Sequence, residues 1–393
     1  MNQIEKLIAK LCPNGVAWVE LGQLIDYEQP TPYLVSSTEY DNSYPTPVLT
    51  AGQTFLLGYT KESEGIYQAS KDDPVIIFDD FTTATKWVDF NFKAKSSAMK
   101  MLKSHDTNRM NLRFFWFYLP SIIIDTSQHT RYWISKFTTE RIPLPPIEIQ
   151  NEIVKILDTF SELEAELEAE LEARKKQYAF YRETAFASIT QVGQVQAINK
   201  IATIWRGRRF VKDDIVREGV PAIHYGEIYT KYGLAASEAF SYLESGLASK
   251  LRFAKTGDVI LVSAGETIED IGKSFVWLGK EDVVIHDACY GVRSEVVDPR
   301  FMVHFFNTHN FRSQLQKYIS TSKVSSISTE KLGQVFIPVP PMAKQLEIAN
   351  ILDSFDALVS DVSIGIPAEI ELRRKQYEYY RDKLLTFKEL ESA

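Results

Sequence analysis

Three arginines around one glycine, Trp205-Arg-Gly-Arg-Arg-Phe210, form the sharpest cationic cluster in the chain. Arg206, Arg208 and Arg209 carry forked donors suited to phosphate oxygens and guanine edges. Gly207 would let backbone approach a phosphate. The plain alternative is a solvated turn between strands. Two hydroxyl-rich stretches offer related chemistry: Ser320-Thr-Ser-Lys-Val-Ser-Ser326, with Lys323 and Ser325, and Ser127-Gln-His-Thr-Arg131, with Gln128, His129 and Arg131. Small hydroxyls and amides beside one cation suit the DNA backbone and base edges, although an ordinary polar loop has the same composition. Thr82, Thr83 and Lys86 follow an apolar run and are lesser candidates. His224-Tyr225 is either a reading position or core.

Catalytic chemistry has little to stand on. Asp79-Asp80 with Lys86 has the residue types of a nuclease carboxylate cluster, but a polar strand end or DNA-facing loop explains it better. His286-Asp-Ala-Cys289 lacks metal-ligand spacing and reads as a core cysteine beside a polar pair. There is no Gly-x-Gly-x-x-Gly turn, no phosphate loop and no Asn-Pro-Pro-Tyr-like run to hold a flipped adenine. The expectation is a non-catalytic chain without a cofactor or metal of its own. Two cysteines, Cys12 and Cys289, fit a reduced cytoplasmic protein. The first ten residues are amphipathic, unlike a signal peptide, and the apolar run Phe114–Ile124 is short and broken by Pro120, so no membrane span is expected.

The elements that must position these residues are written twice. Ile142-Pro-Leu-Pro-Pro146 returns as Ile337-Pro-Val-Pro-Pro341, and Gln150, Glu152-Ile153 and Ile156-Leu-Asp-Thr-Phe160 return as Gln345, Glu347-Ile348 and Ile351-Leu-Asp-Ser-Phe355, all at an offset of 195. Arg174-Lys-Lys-Gln-Tyr178 and Tyr181-Arg182 return as Arg373-Arg-Lys-Gln-Tyr377 and Tyr380-Arg381 at an offset of 199. Fainter matches join Pro47-Val-Leu-Thr-Ala-Gly52 to Pro221-Ala-Ile-His-Tyr-Gly226, and Asp73-Pro-Val-Ile-Ile-Phe78 to Asp258-Val-Ile-Leu-Val262. Such a long period means tandem domain duplication.

The prolines favour a helix start. Ile153, Leu157, Phe160, Leu163, Leu167 and Leu171 follow at helical spacing, running into a Glu-Leu-Glu-Ala repeat. The pattern predicts one helix over 147–189, about 60 Å long, with the leucine stripe as core between two helices. The second copy should break or kink at Gly365-Ile-Pro367. The segment before each helical block contains β-rich runs, such as 74–78 and 122–124 in the first and 258–262 and 273–277 in the second. Four segments result: domains over 1–141 and 191–336, and helical blocks over 142–190 and 337–393. The fold class is α+β, with two such domains in a pseudo-two-fold arrangement joined by a long antiparallel helical coiled-coil pair. The exposed face of that pair carries Tyr178, Tyr181 and Arg182, repeated as Tyr377, Tyr380 and Arg381: either two equivalent patches for two identical partners, or tyrosines that only cap the coiled coil.

The net charge of −8 argues against naive nucleic-acid binding, but it is unevenly spread. The four segments carry −2, −5, +2 and −3 in chain order, so the helical blocks hold the acidic excess. An acidic total therefore does not exclude a basic face on either domain.

With the paired Ile-Pro-x-Pro-Pro blocks, the Glu-Leu-Glu-Ala repeat, Gly365-Ile-Pro-Ala-Glu369 and the two Lys-Gln-Tyr segments in view, nearly the whole chain resembles the specificity subunit of a type I restriction–modification system. The resemblance implies that each β-rich domain reads half of a split site on double-stranded DNA. It implies that the helices set the gap and dock two methylation subunits, and that a restriction and translocation subunit joins them. S-adenosylmethionine, ATP and Mg are then expected on the partners. Two other readings remain open at this point: a self-contained methyltransferase or nuclease, and a coiled-coil scaffold with no DNA role.

Overall fold

The computed structural model describes residues 3–51, 54–125, 130–192, 194–321 and 324–390. The chain divides into two units, Met1–Glu166 with Leu372–Ala393, and Leu167–Glu371.

In the first unit an antiparallel sheet runs in the order Ile25–Glu28, Met99–Ser104, Val75–Asp79, Thr85–Val88. In the second, Ala202–Arg206, Cys289–Ser294, Val259–Val262 and Ser274–Trp277 take the same order and sense, with Ala235–Ala236 added at the edge. A smaller sheet is also duplicated. Thr46–Leu49 lies between Leu56–Thr60, antiparallel, and Lys93–Ala94, parallel. Val220–Ile223 lies likewise between Ser241–Leu243 and Val283–Ile285. The faint match of the central strands is real but one residue out. Ile76 faces Leu102 and Val259 faces Val292, and the shared register makes Ile76 the counterpart of Val259. The run 122–124 forms no strand: it follows a turn at Leu119–Ser121, and Ile123 is 94% exposed.

The long helix spans Ile147–Val192, with Arg174–Glu170 and Lys175–Glu172 pairs along its exposed side. Its start is held the same way in both copies. Gln150, fully buried, accepts from Asn111 N–H and donates to the carbonyls of Arg109 and Pro145. Gln345 accepts from Asp298 N–H and donates to the carbonyls of Val296 and Pro340. Arg113 pairs with Asp158 at 2.7 Å, and Arg300 with Asp353 at 2.9 Å. The second copy is split into Met342–Ser360 and Ile366–Leu384. At the break a Cβ on Gly365 would lie 2.6–2.7 Å from the carbonyls of Ala357, Leu358 and Asp361, so only glycine fits.

Each unit contains its own antiparallel helix pair. In the first, Tyr377 and Tyr380 flank Phe160, and Arg374 pairs with Glu164. In the second, Tyr178 and Tyr181 flank Phe355. The leucine stripe is core at its two ends, Leu171 packing against the core of the second unit. Ile153 and Leu157 are buried, whereas Leu163 is exposed because nothing in its unit covers it. In the first unit the helix Gln3–Leu11 packs Ile4, Leu7 and Ile8 into a core with Leu384, Leu385 and Phe387. No described helix is long and apolar enough to cross a membrane.

Candidate nucleic-acid interface

In the second unit the loop after Ala202–Arg206 folds over residues 285–289. Gly207 N–H donates to Cys289 C=O and Arg208 N–H to Ile285 C=O. A Cβ on Gly207 would sit 2.2 Å from His286 O, so this glycine answers a close approach of the protein's own backbone rather than of phosphate. Arg206 donates through Nε to Asp287 C=O at 2.7 Å, and Arg208 through a terminal nitrogen to Lys250 C=O at 2.6 Å. Those anchors use part of each guanidinium and leave all three arginines exposed. Lys250 and Arg252 lie beside them, Arg252 donating to Arg206 C=O at 3.0 Å. Sequence spacing gives no sign of this pair, because strand pairing brings it in from more than forty residues away.

His224 and Tyr225 stand on the same platform. Their rings lie 4.9 and 5.2 Å from that of His286, which meets Phe210 edge-on at 5.0 Å. His224 is buried and caps the helix Tyr225–Thr230 by accepting from Gly226 N–H, while Tyr225 is half-buried. His286 donates through Nε2 to Phe210 C=O and accepts from Ala288 N–H at Nδ1. That role fixes the neutral ring, and burial, His224 and Arg209 hold its pKa below the ordinary value against the pull of Asp287. Burial likewise lowers His224. Ser325 pairs with Gly265, whose neighbour Ala264 donates to Ala288 C=O. It borders the same loop but is buried, so its side chain is set in the sheet rather than on the surface. Lys323 lies outside the described residues.

In the first unit Asp79 and Asp80 are structural. Asp79 Oδ1 accepts from Phe81 and Thr82 N–H, closing a hairpin loop in which Thr83 has φ of 61°. A β-branched residue there is strained, a feature that collects at functional surfaces. Asp80 Oδ1 accepts from Trp133 N–H at 2.8 Å and its carbonyl from Tyr132 N–H at 2.9 Å. Thr82, Thr83 and Arg131 are thereby brought together, with Thr82 and Arg131 exposed. Lys86 lies on the following strand, exposed, its ammonium over the Phe55 ring at 5.9 Å. Lys95, also exposed, holds the position of His286: Lys95 N–H donates to Leu49 C=O as His286 N–H does to Ile223 C=O. Only this register marks it. Gln128 and His129 lie outside the described residues.

The family of type I restriction modification DNA specificity domains matches residues 13–173 and 194–372. The chain belongs to that family. Over its whole length it is 37% identical to the EcoR124I/EcoR124II type I restriction enzyme specificity subunit of Escherichia coli, covering 99% of that protein. It is 25% identical to a putative type I restriction enzyme specificity subunit of Haemophilus influenzae, across 85% of this chain and 86% of the other. The fold is shared with the type I restriction-modification S subunit of M. genitalium at a TM-score of 0.58 and 15% identity, covering 94% of this chain and 96% of that one. The chain is thus a specificity subunit for DNA sequence recognition, and the loops above are its candidate reading surface.

The helical face of this specificity subunit differs from the sequence expectation. Tyr178 is not exposed. It is packed in the second unit's core with its hydroxyl 3.2 Å from His304 Nδ1, because the helix turns it towards Phe355. Burial raises its pKa above the ordinary value. Tyr377 is half-buried against Phe117 and Phe160. Arg182 and Arg381 lie over the rings of Tyr178 and Tyr377. Tyr181 and Tyr380 are exposed, and their neighbours Phe180 and Tyr379, missed in the sequence, are more so at 65% and 62%. The signal that marks them is the offset of 199, which places one exposed aromatic at the position of the other.

Proposed function

We propose that this specificity subunit reads a bipartite double-stranded target, one half per unit, and directs two methylation subunits and the restriction and translocation subunits to it without performing chemistry. The duplicated sheets with different side chains on their loops carry this reading. One frame built twice gives two reading heads, and divergent loops give two sequences. Partner docking is supported by a second duplication. Leu163, Tyr379 and Tyr380 in the first unit, and Leu358, Phe180 and Tyr181 in the second, are exposed apolar residues at matching positions of repeated helices. Equal patches suit two copies of one partner. S-adenosylmethionine, ATP and Mg belong to those partners, and the complex works in the cytoplasm.

The test exchanges residues 195–336 for the matching segment of a relative with another target and maps methylated adenines. One half of the site should change and the other persist. A change in both halves would overturn the assignment of one half-site to each unit.

A further inference from the structure

Under the hairpin loop of the first unit lies a buried ion pair that the fold does not require. Asp80 and Lys100 are both fully buried, with Oδ2 and Nζ 3.3 Å apart. Lys100 also donates to Gln29 Oε1 at 2.9 Å, whereas Asp80 Oδ2 makes no hydrogen bond among the described residues. Such a pair is costly to desolvate, and an apolar replacement is often as stable or more so.

The second unit dispenses with it. Ser263 stands where Asp80 does: its N–H donates to Ala288 C=O and its carbonyl accepts from Ile327 N–H, just as Asp80 donates to Ala98 C=O and accepts from Tyr132. Tyr290 stands where Lys100 does, and its hydroxyl donates to Ile327 C=O at 2.7 Å. The backbone node therefore closes without charge. What Asp80 adds is the bond to Trp133 N–H, fixing the segment that starts at Arg131 beside the strained loop of Thr82 and Thr83.

We propose that Asp80 and Lys100 are positioning residues for sequence readout by the first unit. The proposal rests on the reading of these loops as DNA-facing. A strained loop persists only where its surroundings over-determine it, and a hydrogen bond to a base edge fails when its donor moves by a fraction of the bond's length. Asp80, fixed in the core by Lys100, holds the strained loop of Thr82 and Thr83 and the segment from Arg131 at one separation.

The test uses the assembled complex, its target mapped beforehand, and duplexes altered in one half-site at a time. Asp80→Asn keeps an acceptor for Trp133 and removes the charge. Asp80→Ser with Lys100→Tyr transplants the second unit's pair. Both should reduce the preference for the intact first half-site by about tenfold, the discrimination of roughly one base pair, and leave the preference at the second unchanged. A purely structural role would lower the melting temperature and the active fraction without moving the preference of the complex that remains; that outcome overturns the proposal. So does a transplanted pair that reads the first half-site like the native chain. Where Asp80→Asn fails to fold, the transplant and Lys100→Gln decide on the same readout. Arg131→Ala and Lys86→Ala are measured alongside. If they weaken DNA binding while the Asp80 and Lys100 variants keep their preference, the positioning role of the ion pair alone is refuted. If they change nothing either, the DNA-facing reading of the loops falls, and this proposal with it.

Discussion

The two units close the same backbone node with charge in opposite places. In the first, the cation is inside: Lys100 is fully buried against Asp80, and the loop position beside it is Gln29. In the second, the inner position is Tyr290 and its cross-strand partner is Arg206, exposed at the head of the arginine cluster. The first unit continues Gln29-Pro-Thr-Pro32 where the second continues Arg206-Gly-Arg-Arg209. A cation kept from water has its position fixed and is costly. A cation left in water costs little and is free to meet phosphate. On the proposed DNA-facing reading, the inner charge of the first unit serves geometry, while the outer cations of the second, like the exposed Lys86, Lys95 and Arg131 of the first, serve affinity.

The largest effect expected from that contrast is on stability. Asp80→Ala would strand Lys100 in the core and should cost about 3–5 kcal/mol. Ser263→Ala at the matching node should cost about 1 kcal/mol. Urea unfolding, followed by hydrogen exchange at backbone amides of each unit, separates the two. Equal losses would mean that the charge at the node is immaterial.

Next in size is the salt dependence of binding. Ala at Arg206, Arg208 and Arg209 should weaken DNA binding about 10- to 100-fold and flatten the plot of affinity against salt by about 0.9 for each phosphate no longer neutralised. Ala at Gln29 and Thr31 in the first unit should leave that slope alone. An unchanged slope in the triple variant would remove the arginine loop from the interface.

Much of this contrast is legible in the sequence, but not its sign. The helix starts are readable because Pro-Pro and a repeated Gln150/Gln345 must satisfy the same buried groups in both copies. The arginine cluster is readable because three cations in four residues are a local signal. Lys250, Arg252 and Lys95 are not, since only strand pairing brings them to the loops. Gly207 misleads because a close approach of backbone looks alike in sequence whether the neighbour is phosphate or protein. Tyr178 misleads because its copy, Tyr377, is less buried: helical phase gives a face, while burial depends on what the rest of the unit supplies, here His304 in one case and Phe117 in the other.

Where the copies agree, substitutions should agree. Gln150→Ala and Gln345→Ala each leave one backbone N–H and two carbonyls without their partner. Each should cost about 1–3 kcal/mol, and the two losses should match within about 0.5 kcal/mol, the usual scatter of independent sites. Unfolding curves of the two variants test this. A gap well beyond that scatter would show that the duplicated helix start is anchored differently in the two units.

The smallest expected effect is a pH dependence confined to the second unit. His224 and His286 both have pKa values pushed below the ordinary histidine value, mainly by burial. The folded second unit therefore refuses protons that its unfolded chain accepts below about pH 6.5. Stability from this source is fully present above that pH and declines as the pH falls towards the lowered folded values. The geometry agrees, because Nδ1 of His286 already accepts from Ala288 N–H and cannot take a proton without losing that bond. In the first unit the same two positions are Thr50 and Lys95, neither of them a histidine. Melting curves taken at about pH 7.5 and about pH 5.5, on either side of the ordinary histidine value, should shift downwards for the second unit on acidification, and His224→Asn with His286→Asn should flatten that shift. An upward shift on acidification would mean that Asp287, 3.2 Å from Nδ1, wins over burial, and the second unit would then gain a buried charge of the kind that distinguishes the first.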